Sequence, residues 1–251
     1  MHNDTEAAAQ QVPTSPKSFG VIDGLFAALR NILTYAVLLL IPAGLMPGGT
    51  WLWPPGLWFV GVGGAISLAG NVALAIARPA HFEVRQQSVV ASKEKKQPLI
   101  DAVGTAAMVG FVVAWFIFIP VDVFRLHLLP APSAALSIVG GICAVIGATL
   151  TPLAVWENKF ATPNVQEQAG QKVIDTGIYS LIRHPIYAGT LLTSGGMTLW
   201  LGSSAAFLGV GVVLAMTIGR IIIEEAHLRA HVPGYDDYAT RVRGRLIPFI
   251  L

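Results

Sequence analysis

Charge and cysteine are what this chain of 251 residues has little of. Charged side chains make up only 12% of it, about half of what a soluble domain carries. The single Cys143 lies within an apolar run, which excludes a disulfide framework and a cysteine-based metal site. No His, Cys, Asp and Glu pattern has metal-ligand spacing, so no metal is expected. The formal net charge of +2 gives no basic stripe, and no nucleic-acid partner is read from it. The opening residues Met1 to Ser18 lack the charged start, apolar centre and small-residue cleavage site of a signal peptide. They are expected to remain attached and poorly ordered.

Apolar length is what the chain has instead. Hydrophobic residues make up 54% of it and its mean hydropathy is +0.64, which leaves no material for a large soluble core. Six apolar runs approach the roughly 20 residues that cross a bilayer. They span about Leu25 to Met46, Trp51 to Ile76, Val103 to Ile119, Ser133 to Trp156, Ile186 to Leu201 and Ser204 to Ile223. The expected fold is all-α, a polytopic membrane helical bundle of about six transmembrane helices with a C-terminal cytoplasmic cofactor-binding region. Its divisions are a disordered tail over 1–24, four transmembrane helices over 25–157, and a catalytic region over 158–251. That last region comprises a cytoplasmic loop, a transmembrane hairpin and a C-terminal amphipathic tail. The glycines Gly61, Gly63, Gly64 and Gly70 read as a helix-packing face, since small residues let membrane helices approach closely.

Orientation follows from Lys and Arg. With a cytoplasmic N-terminus, six spans put fifteen of the sixteen basic residues on the inner side and only Arg125 outside, the bias expected of cytoplasmic loops. Both termini are then cytoplasmic, in a multi-pass protein expected in a bacterial inner membrane. Apart from Arg30 and Arg220 near inner ends, and Asp122 and Arg125 at an outer edge, the spans carry no charge, which speaks against a transporter.

Polar chemistry gathers after residue 157. Pro185 suits the first position of a helix, so Arg183 and His184 precede the fifth span, where free backbone N–H groups and the helix dipole favour an anion. Arg183, His184 and Tyr187 also suit a plain interface anchor. Only Gly202 and Ser203 separate the fifth and sixth runs, so a tight antiparallel hairpin is expected. It brings Arg183 to Tyr187 beside Arg220, Glu224 and Glu225. Arg220 and Glu224 share a helix face and can pair, while Glu225 points about 100° away. Tyr235, Tyr238 and Val242 stand at helical spacing, giving a short amphipathic helix that serves either as a lid or as a basic surface helix.

Taken in order, Gly177-x-Tyr179, Arg183-His184-Pro185-x-Tyr187-x-Gly189, Arg220-x-x-x-Glu224-Glu225 and Gly234-Tyr235-x-x-Tyr238-x-x-x-Val242-x-x-Arg245-Leu246-Ile247-Pro248 resemble the isoprenylcysteine carboxyl methyltransferase family. Phospholipid methyltransferases share parts of this pattern. The resemblance covers about Asn158 to Pro248. It implies S-adenosylmethionine bound on the cytoplasmic side, with membrane lipids as surroundings and a lipophilic small molecule or lipidated acceptor as partner. Carried over by position, Gln166, Gln171, Lys172, Val173, Ile174, Tyr179, Arg183, His184, Pro185, Ile186, Tyr187, Glu224 and Glu225 would hold the cofactor. Arg220 and Glu224 would be the catalytic residues, Arg220 facing the acceptor. Relatives carry Arg-Gly-His where this chain has Ala169-Gly170-Gln171; Gln171 keeps hydrogen bonding but cannot become cationic.

The implied activity is a carboxyl O-methyltransferase-like transfer to a lipid-like or isoprenylcysteine-type acceptor by in-line displacement. Such a reaction asks chiefly for alignment and exclusion of water. An amine or hydroxyl acceptor would also need a base, for which Glu224 or Glu225 stand nearest. Two other readings stay open at this point: an NADPH-dependent membrane reductase of the sterol-reductase type, which has a similar Arg-His, Tyr and Glu pattern, and a non-catalytic membrane scaffold.

Overall fold

The computed structural model describes residues 20–94, 99–161 and 170–248, with side chains left undescribed over 87–107. The regular structure of the described residues is helical, with nine α-helices. In chain order these are α1 (Val21–Leu45), α2 (Pro54–Ala77), α3 (Pro79–Glu94), α4 (Leu99–Val121), α5 (Ala134–Glu157), α6 (Pro185–Trp200), α7 (Ser204–Phe207), α8 (Gly209–His231) and α9 (Tyr235–Arg241). A π-helical turn, Asp122–Leu126, ends α4, and a 3-10 turn, Gly177–Ser180, precedes α6. Among the described residues, five stretches are long and apolar enough to cross a membrane: Val21–Leu45, Pro54–Ala77, Met108–Leu126, Ala134–Glu157 and Ser204–His231. The sixth expected span forms as α6, but its 16 residues reach only about 24 Å, against a hydrocarbon core of about 30 Å.

Helix α6 lies chiefly along α5, with a smaller contact to α8. The reason is glycine. A Cβ on Gly147 would stand 2.5 Å from the Gly189 carbonyl oxygen, and one on Gly189 would stand 2.8 Å from that of Gly147. Gly196 is likewise set against the backbone of Gly140 and Ala144. The two antiparallel helices thus touch backbone to backbone at both ends of a seven-residue spacing, and no side chain fits between them. Residues 202 and 203 do return the chain as a tight turn, yet α5 rather than α8 is the main neighbour of α6. The glycines of α2 divide: Gly64 rests on Ile32 and Gly70 on Pro152, while Gly61 and Gly63 meet nothing within 4 Å.

Two apolar clusters occupy the ends of the bundle. The larger joins Leu39, Ala43, Trp53, Phe59, Trp115, Ile119, Met197 and Leu201. There Asp122 closes the bundle, accepting from the Ser203 hydroxyl at 2.6 Å and from the Leu128 amide at 2.9 Å. The smaller cluster, at the site end, joins Ala27, Leu74, Phe82 and Val155, with Ile186 against it. The outer faces are apolar, as Phe26, Leu52, Leu208, Ile222 and Ile223 show by their exposure, which suits contact with lipid rather than water.

Three boundaries differ from the sequence reading. Helix α1 starts at Val21, so the last four residues assigned to the tail are helical. The basic connection after the second span contains α3. The last span breaks at Leu208 into α7 and α8, and α8 continues past Glu225 to His231. The expected tail over Met1 to Ser18 lies outside the described residues.

Overpacking at the α5–α6 seam is the direct test of its role. Gly147→Leu should lower the thermal unfolding midpoint of the detergent-purified protein by an amount equivalent to at least about 1–3 kcal/mol. Gly61→Leu, at a glycine with open space beside it, should stay within about 0.5 kcal/mol.

Candidate functional site

The site assembles where α3 and α6 begin and α8 nears its end, and local sequence explains each piece. Gly177 adopts φ +55°, a left-handed conformation that glycine takes without strain. A side chain there would collide with the Glu157 carboxylate. The turn lets the Ile178 amide donate to Glu157 Oε2 at 2.8 Å, tying the 3-10 turn to the end of α5. Tyr179 is thereby buried, and its carbonyl accepts from the Tyr238 hydroxyl at 2.8 Å. Burial raises the Tyr179 phenol above its ordinary value, so it stays protonated and is a hydrogen-bonding group, not a base.

Pro185 opens α6 with His184 as its N-cap. The amides of Arg183 and His184 donate to the carbonyls of Gly244 and Arg245, each at 2.9 Å. The C-terminal strand of chain therefore caps the approach to α6. The side chains of Arg183 and His184 turn to Glu225: Arg183 Nη1 stands 2.9 Å from Oε1 and His184 Nε2 3.2 Å from the same oxygen. Arg245 adds contacts at 3.2 and 3.3 Å. Glu225 is 5% exposed, so its desolvation is compensated by the Arg183 and Arg245 guanidiniums together with the His184 hydrogen bond. Arg183 and His184 are thus engaged with a protein carboxylate, which is a different arrangement from an open anion cradle at the helix start.

Glu224 faces another way. Its Oε2 accepts from the Tyr187 hydroxyl at 2.6 Å, and Arg220 Nε donates to that same hydroxyl oxygen at 3.4 Å. Tyr187 is therefore the link between Arg220 and Glu224. The His184 and Tyr187 rings stack with centroids 5.6 Å apart, and Ile186 rests on the Phe82 cluster. The structure thus brings Tyr179, His184, Pro185, Ile186, Tyr187, Arg220, Glu224 and Glu225 to one end of the bundle.

The remaining candidates spread out. Val173 packs under α9 with Tyr235, Tyr238 and Val242, the helical spacing expected from sequence. Lys172 is exposed, and Gln171 and Ile174 are half-buried. Gln166 lies outside the described residues. Sequence reasoning missed His81 and Arg85 on α3. Arg85 Nη1 donates to the Ala161 carbonyl at 2.7 Å, and His81 is buried beside it. Their four-residue spacing after Pro79 was the available signal.

Residues 136–232, from α5 to the end of α8, match the phospholipid methyltransferase family model. Sequence comparison with curated proteins gave no match. Among solved structures, the chain is similar to a eukaryotic intramembrane Ras methyltransferase, the isoprenylcysteine carboxyl methyltransferase, with 19% identity and a TM-score of 0.46 over 91% of this chain and 85% of that one. The match over 136–232 makes this part of the chain similar to the phospholipid methyltransferase family. That segment contains the α5–α6 seam and every residue from Tyr179 to Glu225 named above.

The two neighbouring glutamates should respond differently to mutation. Glu225→Ala leaves buried Arg183 without its counter-charge and should destabilise the protein by about 3–5 kcal/mol. Glu224→Gln keeps a hydrogen-bond acceptor for Tyr187 and should stay within about 1 kcal/mol. Chemical unfolding of the detergent-purified variants measures both.

A pH effect comes from His81. Burial first, then the nearby Arg85 and Arg78 guanidiniums, lower its pKa from 6.5 to about 4. As pH falls from 6.5 towards 4 the unfolded chain takes up a proton that the folded chain does not, so stability should drop across that window. His81→Gln should flatten this part of the profile in thermal unfolding at stepped pH.

Proposed function

We infer that the chain is an integral-membrane S-adenosylmethionine-dependent methyltransferase that acts on a lipid-like or isoprenylcysteine-type carboxylate acceptor. The carrying observation is the Glu224, Tyr187 and Arg220 cluster, at 2.6 and 3.4 Å, inside the matched segment. The residues fit such a cofactor in kind. Glu224 offers a carboxylate to an ammonium or a ribose hydroxyl. The stacked His184 and Tyr187 rings and Ile186 offer an apolar wall of the kind an adenine takes. When bound, the cofactor supplies an activated methyl group on a sulfonium, whose transfer needs no covalent help from the protein.

The chain's own part is then alignment. Glu225 and its cations hold the α6 start against α8, which fixes Tyr187 and hence the position of Glu224. Arg220 orients an anionic acceptor from the same face. Because α6 is shorter than the hydrocarbon thickness, the Tyr187 end sits at the depth where a headgroup meets acyl chains, so an acceptor reaches it laterally from the bilayer. Charge distribution supports cytoplasmic termini and a cytoplasmic cofactor side.

Labelled methyl transfer into a membrane lipid extract, with S-adenosylhomocysteine calorimetry beside it, tests these roles. Glu224→Gln should chiefly weaken S-adenosylhomocysteine binding, by roughly tenfold. Arg220→Ala should keep binding near normal but lower turnover at saturating cofactor by roughly tenfold or more, about 1.4 kcal/mol of transition-state alignment. Full turnover in the Arg220 variant would remove its acceptor-orienting role.

A further inference from the structure

Two groups on α3 lie outside the matched residues and outside the reading above. His81 is 7% exposed, and among the described residues neither ring nitrogen has a hydrogen-bond partner, although the Ala161 carbonyl is near. Buried polar side chains seldom stay in that state unless a ligand or water completes them. Arg85, one turn later on the same face, reaches the Ala161 carbonyl at 2.7 Å. Arg78, by contrast, lies over the Trp156 ring and donates to the Trp156 carbonyl, so its charge serves the end of α5.

This face of α3 adjoins the methyltransferase site. Phe82, next to His81, packs in the cluster that Ile186 covers, and Ile186 precedes Tyr187. Tyr179 lies within the fields of both the Glu224 carboxylate and the Arg85 guanidinium. The phenol is therefore near both a carboxylate wall, Glu224 with Tyr187, and a donor wall, the Arg85 guanidinium with the neutral His81 imidazole. Glu157, the other acid near Tyr179, is held by the Ile178 amide. Glu225 is already ringed by Arg183, His184 and Arg245.

We propose that these walls form a zwitterion clamp, in which Glu224 receives the ammonium of a bound molecule and His81 with Arg85 receives its oxyanion. Opposite charges joined through a short linker match such a pair of walls, whereas an isolated anion or cation satisfies only one. Two molecules carry this chemistry at a methyltransferase site in a membrane: the amino-acid end of the cofactor, and a phosphoethanolamine headgroup. The clamp rests on the proposed methyltransferase reading for its setting. It adds α3 as a binding element.

Calorimetry on the detergent-purified full chain, using matched probes with and without the zwitterion, separates these cases. S-adenosylhomocysteine is compared with 5′-methylthioadenosine, which lacks the amino-acid end, and dioctanoyl phosphatidylethanolamine with dioctanoylglycerol. If the clamp holds the cofactor, His81→Ala and Arg85→Gln weaken S-adenosylhomocysteine about tenfold or more and leave methylthioadenosine unchanged. If it holds a headgroup, the same variants spare S-adenosylhomocysteine and weaken phosphatidylethanolamine alone by that factor. Thermal unfolding confirms that each variant is folded, and His81→Asn replaces His81→Ala should the latter not fold. Equal effects within both pairs, or none, in folded variants overturn the clamp while wild-type binding of S-adenosylhomocysteine keeps the methyltransferase reading. Wild-type protein that binds neither nucleoside overturns that reading instead, and the lipid pair then decides the clamp.

Discussion

The contact on which the rest of this protein depends is the meeting of two glycine-bearing backbones, α5 and α6, at Gly147 with Gly189 and at Gly140 with Gly196. Lipid tails are as apolar as leucine, so membrane helices gain little by hiding apolar side chains from them. Close packing of small residues is what holds such helices together. Here it also sets a height. With α6 fixed along α5, Gly189 comes beside Thr151, which leaves Pro185 short of the end of α5, and the chain between them must turn back beside Glu157. Gly177 makes that turn possible, Tyr179 is buried by it, and Ile186 arrives on Phe82.

A second constraint is electrostatic and divides two adjacent residues. Glu224 and Glu225 follow one another on α8 and so point about 100° apart. One direction leads into Arg183, His184 and Arg245, where the carboxylate is buried and neutralised. The other leads to the Tyr187 hydroxyl. The first glutamate in this sense is a strut that joins α6, α8 and the C-terminal strand of chain, and the second is the group with chemistry to offer. The tail helix α9 belongs to the same device, since Tyr238 holds the Tyr179 carbonyl and Arg241 holds Asp175 at 2.8 Å.

Much of this was legible in the sequence, for physical reasons that can be named. Apolar run length gave the membrane class and the number of helices to within the short α6. The fixed φ of proline placed the start of α6 at Pro185, and helical periodicity placed Tyr235, Tyr238 and Val242 on one face of α9. The ordered Arg-His-Pro, Arg-x-x-x-Glu-Glu and Tyr-rich elements marked the segment that the phospholipid methyltransferase match covers in large part.

Tertiary structure decided the partners. His184 and Glu225 are 41 residues apart and Arg245 a further 20 beyond Glu225; whether Arg220 meets Glu224 directly or through Tyr187 depends on how α6 and α8 are rotated against each other. Periodicity fixes which residues share a face, but not which way that face turns. The same holds for α6, whose short turn to α7 suggested α8 as its neighbour, while glycines on α5 offered the closer surface. It holds most for His81 and Arg85: the sequence shows them only as polar residues in a basic connection, and only the packing of Phe82 against Ile186 brings them to the site.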